Sequence, residues 1–367
     1  MDNLIVNNIR QRPLRALVSV TGVALGVALV MLFTGLSRGM SNDLQRRSSN
    51  LRAEIIFTRQ GGMELTSSTA NLSTKYADEL GRVEGVEAVL PVIRYPFQSG
   101  RGFGFEMIEG VDWAGYAAMN GVALAEGRAP AAADEVVIDE TKAQNNGQGV
   151  GGTLGIFGGK PYRVVGVYAP ESGARVKMSL AALQDALESP GRCTYILVKC
   201  KEGFTPEAVA RSIEAAPATR GNKIQLTRDV VTNIEKSIPY LGVFLRALVG
   251  LSAVVSGLVV MLAMYTTITE RTREIGVLKA LGASRGYIVG LIEREALVIS
   301  LLGLVAGFAV SLAAGYAIHR AYGLMFEYGW RWALVAAGIG VGGGLLGALY
   351  PAVRAASLDP VAALSYE

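Results

Sequence analysis

Four apolar runs, each long enough to cross a bilayer, constrain this chain more than any other feature: Ala16 to Leu36, Leu241 to Ile268, Ala296 to Ile318 and Trp332 to about Ala352. A hydrocarbon core of about 30 Å takes roughly 20 helical residues to cross. Lipid offers no water to backbone N–H and C=O groups, so such runs fold as helices. Only the second run contains a formal charge, Arg246, near one end where its long side chain can snorkel to the interface. The alternative for the first run is a cleaved signal, since Arg10, Arg12 and Arg15 precede it. Its length exceeds the roughly 7 to 15 apolar residues of a signal, and no small-x-small cleavage site stands out after it, so a retained helix is expected. Composition agrees: 51% hydrophobic and 18% charged residues, with 45 glycines in 367 positions, are more apolar and small than an ordinary soluble protein carries.

Lysine and arginine in the short flanks set the orientation. Arg10, Arg12 and Arg15, then Arg271, Arg273, Lys279, Arg285 and Arg294, then Arg354 stand against only Arg320 and Arg331 in the other short loop. Both termini and the central loop are therefore expected in the cytoplasm. Tyr328, Trp330 and Trp332 suit an interfacial aromatic belt. The expected layout is a cytoplasmic amphipathic segment (1–15), a first span (16–36), an extracytoplasmic domain with stalk ends (37–240) and a second span (241–268). A cytoplasmic loop (269–295), a third span (296–318), a short outer loop (319–331), a fourth span (332–352) and a cytoplasmic tail (353–367) follow.

The outer segment is polar enough to fold as an α+β domain of about 200 residues inserted between membrane helices. Strands are expected at Ala53 to Thr58, Glu87 to Val92, Phe103 to Ile108, Glu135 to Ile138, Tyr162 to Tyr168, Thr194 to Lys199 and Lys223 to Leu226. Helices are expected at Thr74 to Arg82, Ser179 to Glu188 and Pro206 to Ala215, the last with Thr205 as N-cap and Pro206 at its first position. Ser37 to Asn50 and Asp229 to Pro239 could continue the membrane helices outward as a stalk, or be ordinary linkers. Cys193 and Cys200 bracket a strand of about 23 Å at roughly 3.3 Å per residue, which places them on opposite faces and favours free thiols over a disulfide.

Between the second and third spans lies a charged, helix-prone insert, Glu270 to Ala283. Ile275, Leu278 and Leu281 recur at three-residue steps, Glu270, Arg271, Arg273, Glu274 and Lys279 supply charge, and Gly282 is a helix stop. The pattern suits a short exposed helix in a partner's groove or on lipid. In the spans, Gly22/Gly26, Gly303/Gly307, Gly340/Gly344 and Gly343/Gly347 have the spacing that lets helices approach closely, within one chain or between two.

Enzyme chemistry finds little footing. Two G-x-S-x-G matches place serines at Ser37 and Ser284, but the only histidine is His319. Ser284 is expected on the other side of the membrane from it, and Ser37 follows a membrane helix instead of a strand. Two cysteines and one histidine, remote in sequence, make an unconvincing zinc site. The cluster Asp134, Glu135, Asp139 and Glu140 reads as a solvated strand edge, and dispersed basic residues disfavour nucleic acid. The phosphate-binding motif G-x-x-x-x-G-K-[ST] is missing: at Gly159-Lys160, Leu154 stands where glycine is needed and Pro161 follows.

Glu270 to Ala283, with Arg12-Pro13-Leu14-Arg15 and Tyr350-Pro351-Ala352-Val353-Arg354 through Leu364, resembles the FtsX/MacB/LolC type of ABC-transporter permease. Ile108 to Asp112, Gly127-Arg128, Glu135 to Ile138 and Tyr162 to Tyr168 look like the MacB-like periplasmic core domain. The resemblance implies a dimer of permease subunits, homomeric or heteromeric, and a cytoplasmic ABC ATPase that binds ATP and Mg. A periplasmic adaptor or substrate protein is a further implied partner. Glu270 to about Ala283 would be the coupling helix, with Leu278 and Leu281 in an apolar notch of the ATPase and Arg271, Arg273, Glu274 and Lys279 on the rim. Such permeases act mechanically on material outside the inner membrane. MacB-type members carry an ATPase on the same chain, whereas here the first span begins about 15 residues in, so a separate ATPase subunit and no cofactor on this chain are expected. The alternative within the family is an FtsX-like regulator of an extracytoplasmic partner such as a cell-wall hydrolase.

Overall fold

The computed structural model describes residues 13–59, 70–98, 105–229 and 239–357. Arg10, Arg12, Phe103, the tail from Leu358 and positions 230–238 of the second expected stalk lie outside the described residues. The chain divides into two compact units. One takes the chain up to Met40, with Pro239–His319 and the chain from Leu324; the other takes Ser41–Ile238 with Arg320–Gly323.

Helix α1 (Pro13–Ser49) starts on the proline that helix N-termini favour and passes the expected end of the first span without a break. Its residues from Ser41 belong to the α+β unit. That unit runs β1 (Ile55–Arg59), β2 (Leu72–Ser73), α2 (Tyr76–Gly81), β3 (Val86–Gln98), β4 (Phe105–Val111), α3 (Trp113–Asn120) and β5 (Ala123–Gly127). It continues with β6 (Glu135–Asp139), α4 (Glu140–Asn146), β7 (Thr153–Ile156), β8 (Lys160–Ala169), β9 (Val176–Ser179), α5 (Leu180–Ala186), β10 (Arg192–Cys193), β11 (Tyr195–Cys200), α6 (Pro206–Ala215) and β12 (Asn222–Leu226). A ten-stranded mixed sheet has the order β12-β1-β11-β3-β4-β9-β6-β8-β5, with β7 added on β8. β4 with β9 and β6 with β8 are the parallel pairs. Side chains alternate between two apolar layers: on β11, Ile196 and Val198 join one cluster and Tyr195 and Leu197 the other. Burial on both faces is why the strands read as near-continuous apolar runs.

Every strand expected from the sequence is present, with ends moved by a few residues. Five short strands (β2, β5, β7, β9, β10) and two short helices (α3, α4) have no strong periodicity and were not anticipated. They are set by caps instead: Asp112 accepts from the Gly115 N–H at 2.9 Å, and Asp139 from the Lys142 N–H at 2.7 Å. Gly121 and Gly147 end those helices at φ 65° and 59°. Thr205 stands at the N-cap of α6 as expected, although its side chain makes no capping bond.

Two sequence expectations fail here. Glu135 and Asp139 are not on a solvated edge: β6 lies between β9 and β8, and both side chains are buried. Cys193 and Cys200 are free and buried, but on the same apolar layer. The strand is interrupted by a bend at Thr194, between β10 and β11, so strict alternation does not carry through.

The second unit is helical: α1 to Met40, α7 (Pro239–Glu270), α8 (Thr272–Ala280), α9 (Arg285–Tyr322) and α10 (Trp330–Ser357). All but α8 are long and apolar enough to cross a membrane. α9 begins eleven residues before the expected third span, because Ser284 caps it by accepting from the Tyr287 N–H. All four glycine pairs make contacts inside this chain. A Cβ on Gly22 or Gly26 would strike Val259 or Ser256 of α7, and one on Gly303 or Gly307 would strike Val23 or Ala24 of α1. A Cβ on Gly347 would strike the Gly257 carbonyl oxygen, and one on Gly344 the Ser300 hydroxyl. At Gly307 and Gly347 the nearest atom is a backbone carbonyl oxygen, and at Gly22, Gly26, Gly303 and Gly344 a side chain of the neighbouring helix seats against the glycine, the close approach by which helices pack in lipid without a hydrophobic driving force. Tyr328, expected in an aromatic belt, packs against Gly35 and donates to the Ser311 carbonyl at 2.8 Å, and Trp330 is exposed. His319 is a packing residue, its Nδ1 2.9 Å from the Leu324 carbonyl.

Candidate functional site

Helix α8 is held at both ends by charged side chains. Arg271, between α7 and α8, contacts Glu274 at 2.7 Å and Glu295 of α9 at 3.4 Å. Lys279 donates to the Ala356 carbonyl at 2.9 Å, in the last turn of α10, where a cation is favoured. Gly282, at φ 93°, closes α8: its N–H bonds the Lys279 carbonyl and the Ala283 N–H bonds the Leu278 carbonyl, the paired bonds of a left-handed helix stop.

The expected apolar face splits in consequence. Ile275 is buried and Leu278 half-buried, both lining a groove with Ile268, Ile288 and Ile292. Leu281, past the last helical residue, is 80% exposed, and Val277 is 43% exposed. Arg273, Val277 and Leu281 are spaced by four and are all exposed, with Glu274 and Ala280 beside them. Glu270 is exposed at the end of α7. Arg271 and Lys279, expected on a partner-facing rim, make contacts to α9 and α10, and Val277 is exposed beside Arg273 although the three-step spacing did not include it. The i, i+4 relation of Arg273 and Val277 was legible in the sequence.

The α+β unit contains a second constellation that sequence reading did not single out. Glu109 on β4 accepts from Lys177 of β9 at 2.7 Å, from Arg94 of β3, from Tyr195 at 2.8 Å and from the Ala174 N–H at 3.0 Å. All these side chains are buried. Burial alone would push the Glu109 carboxyl up, but Lys177 and Arg94 outweigh it and hold the group well below the usual carboxylate range. The Lys177 ammonium also lies over the rings of Tyr116 and Tyr168, at 4.4 and 5.3 Å to the centroids. A neighbouring cluster joins Arg175 to Asp43 of α1 and to Asp139 at 2.8 Å. Burial pushes the Asp139 carboxyl up, against the pull of Arg175. Among the described residues no group of His, Cys, Asp and Glu is arranged to hold a metal.

Apolar helices with an inserted mixed-sheet domain define a membrane-anchored permease architecture, and the comparisons agree. The MacB-like periplasmic core domain profile matches residues 16–216, more than half of the chain, and the FtsX-like permease C-terminal profile matches residues 246–360. The chain belongs to the MacB/FtsX family of ABC-transporter permeases. The macrolide export ATP-binding/permease protein MacB of Acinetobacter baylyi is 27% identical over 96% of this chain and 57% of its own length. That of Rhodospirillum rubrum is 27% identical over 98% of this chain and 59% of its own. The chain thus spans under two thirds of the length of these relatives. The crystal structure of the periplasmic region of MacB from Actinobacillus actinomycetemcomitans aligns with 53% of this chain and 98% of its own at a TM-score of 0.39 and 17% identity.

Proposed function

We propose that this chain is the transmembrane subunit of an ABC transporter whose α+β domain lies outside the inner membrane, with both described ends of the helical unit toward the cytoplasm. A cytoplasmic ABC ATPase holds ATP and Mg, and this chain carries no catalytic step. ATP-driven motion enters at α8 and leaves through α1 to the α+β domain, acting mechanically on exported or extracted material. A second permease subunit and a periplasmic adaptor complete the assembly.

The observation that carries this reading is the construction of α8. Arg271 and Lys279 brace it against α9 and α10, while Arg273, Val277 and Leu281 face outward. An exposed apolar pair flanked by charge suits an apolar notch with a polar rim. The name ATP-binding/permease protein given to the relatives supports an ATPase partner. The test is co-purification with the cognate ATPase. Val277→Asp combined with Leu281→Asp should abolish complex formation while the chain still folds and inserts. Retention of a wild-type complex by that variant would reject the docking surface.

A further inference from the structure

The end of α1 is gripped by one loop. Between β8 and β9, residues 171–175 contact the last two turns of α1 and the residue that follows it at several points, among them an ion pair of Arg46 with Glu171 at 3.7 Å. Arg47 donates to the Gly173 carbonyl at 3.0 Å, and the Gly173 N–H returns a bond to the Arg47 carbonyl at 3.4 Å. Asn50 donates to the Glu171 carbonyl at 2.7 Å, and Arg175 pairs with Asp43.

The same loop is rooted in the sheet. Lys177 donates to the Ser172 and Ala174 carbonyls at 2.8 and 2.9 Å, and the Ala174 N–H bonds Glu109. Tyr168 donates to the Ala174 carbonyl at 2.8 Å. Arg175 continues to Asp139 at the end of β6. Gly173 sits at φ 60°, and a Cβ there would lie 2.6 Å from the Glu109 carboxylate, so the loop is pressed against the buried ion pair. One short segment thus connects a helix end to β4, β6 and β9 at once.

We propose that the 171–175 loop, with Arg175 as its positioning residue, is the clamp through which α1 moves the sheet. A linker would dissipate a displacement of α1 by bending. A loop whose backbone is bonded on one side to the helix and on the other to fully buried charges delivers it to three strands, because those charges cannot shift without losing desolvated partners. Arg175 is the element that reaches both sides with one guanidinium, whose fork geometry suits two carboxylates. This rests on the reading above, that α1 carries the motion outward.

The experiment uses the full chain with its ATPase in nanodiscs, with spin labels on α1 near Arg46 and on the exposed strand β5. Hydrogen exchange is followed in parallel. Arg175→Ala should raise exchange at 44–50 and 171–175 at least about tenfold while β4 and β8 stay protected. ATP hydrolysis should continue, and the nucleotide-dependent shift of the β5 label should be lost. Gly173→Ala, which alters no charge, should produce the same uncoupling. In the Arg175→Ala background, a disulfide between Asn50→Cys and Glu171→Cys should restore the shift, and reduction should remove it. A wild-type shift in both Arg175→Ala and Gly173→Ala would overturn the clamp. No nucleotide-dependent shift in the unmodified protein would instead overturn the transmission reading, and the clamp with it.

Discussion

Lys177 places its ammonium 2.7 Å from the Glu109 carboxylate with neither side chain reached by solvent, and Arg94 approaches the same carboxylate from β3. The arrangement is two cations around one anion. Removing the anion therefore strands two buried charges, whereas removing one cation leaves a pair. Glu109→Gln should cost more than Lys177→Met, with about 3–5 kcal/mol expected for breaking such a pair. Thermal unfolding of the α+β unit in the detergent-solubilised chain gives the order, and the reverse order would refute the central role of Glu109.

The same carboxylate sets a pH dependence. Because its folded pKa is depressed, Glu109 contributes stability that is present at neutral pH. That stability drains as pH falls below the ordinary value of about 4.3 toward the folded one. Asp139, whose folded pKa is raised by burial, acts with the opposite sign and gains stability as pH falls through its folded value toward the ordinary aspartate one. Melting temperature measured from pH 7 to pH 3 should drop steeply at the acid end, and the slope should flatten in Glu109→Gln. An unchanged slope in that variant would assign the acid loss elsewhere.

Both thiols should be inert in the folded protein. Burial pushes Cys193 up to about 12 and Cys200 up to about 11, and the thiolate is the reactive form. Maleimide labelling at pH 7.5 is expected to be negligible until denaturant is added. Rapid labelling of the native chain would contradict the placement of these residues in the sheet's apolar layer.

Glycines in the helices separate into contact and non-contact positions, which gives an internal control. Gly347→Ala would drive a methyl into the Gly257 carbonyl, whereas nothing lies within 4 Å of a Cβ on Gly338 or Gly342. Overpacking of this kind typically costs about 1–3 kcal/mol. The Gly347 variant should lower the melting temperature of the detergent-solubilised chain, while Gly338→Ala leaves it unchanged or slightly higher. Equal effects would mean that α7 and α10 do not meet there.

The sequence alone determined the membrane helices, the inserted α+β domain and the presence of a short charged helix before α9, because apolar length and periodicity are local properties that lipid and sheet burial impose directly. It also placed Gly282 correctly at the end of α8, since a left-handed stop needs a residue without a Cβ. Which way each side chain of α8 turns was decided only by tertiary structure. Arg271 and Lys279 were drawn inward by Glu295 and by the end of α10, partners 24 and 77 residues away. Glu109, Lys177 and Arg94 look like ordinary strand charges until β4, β9 and β3 stand side by side. Desolvation and pairing depend on that adjacency, and no local pattern records it.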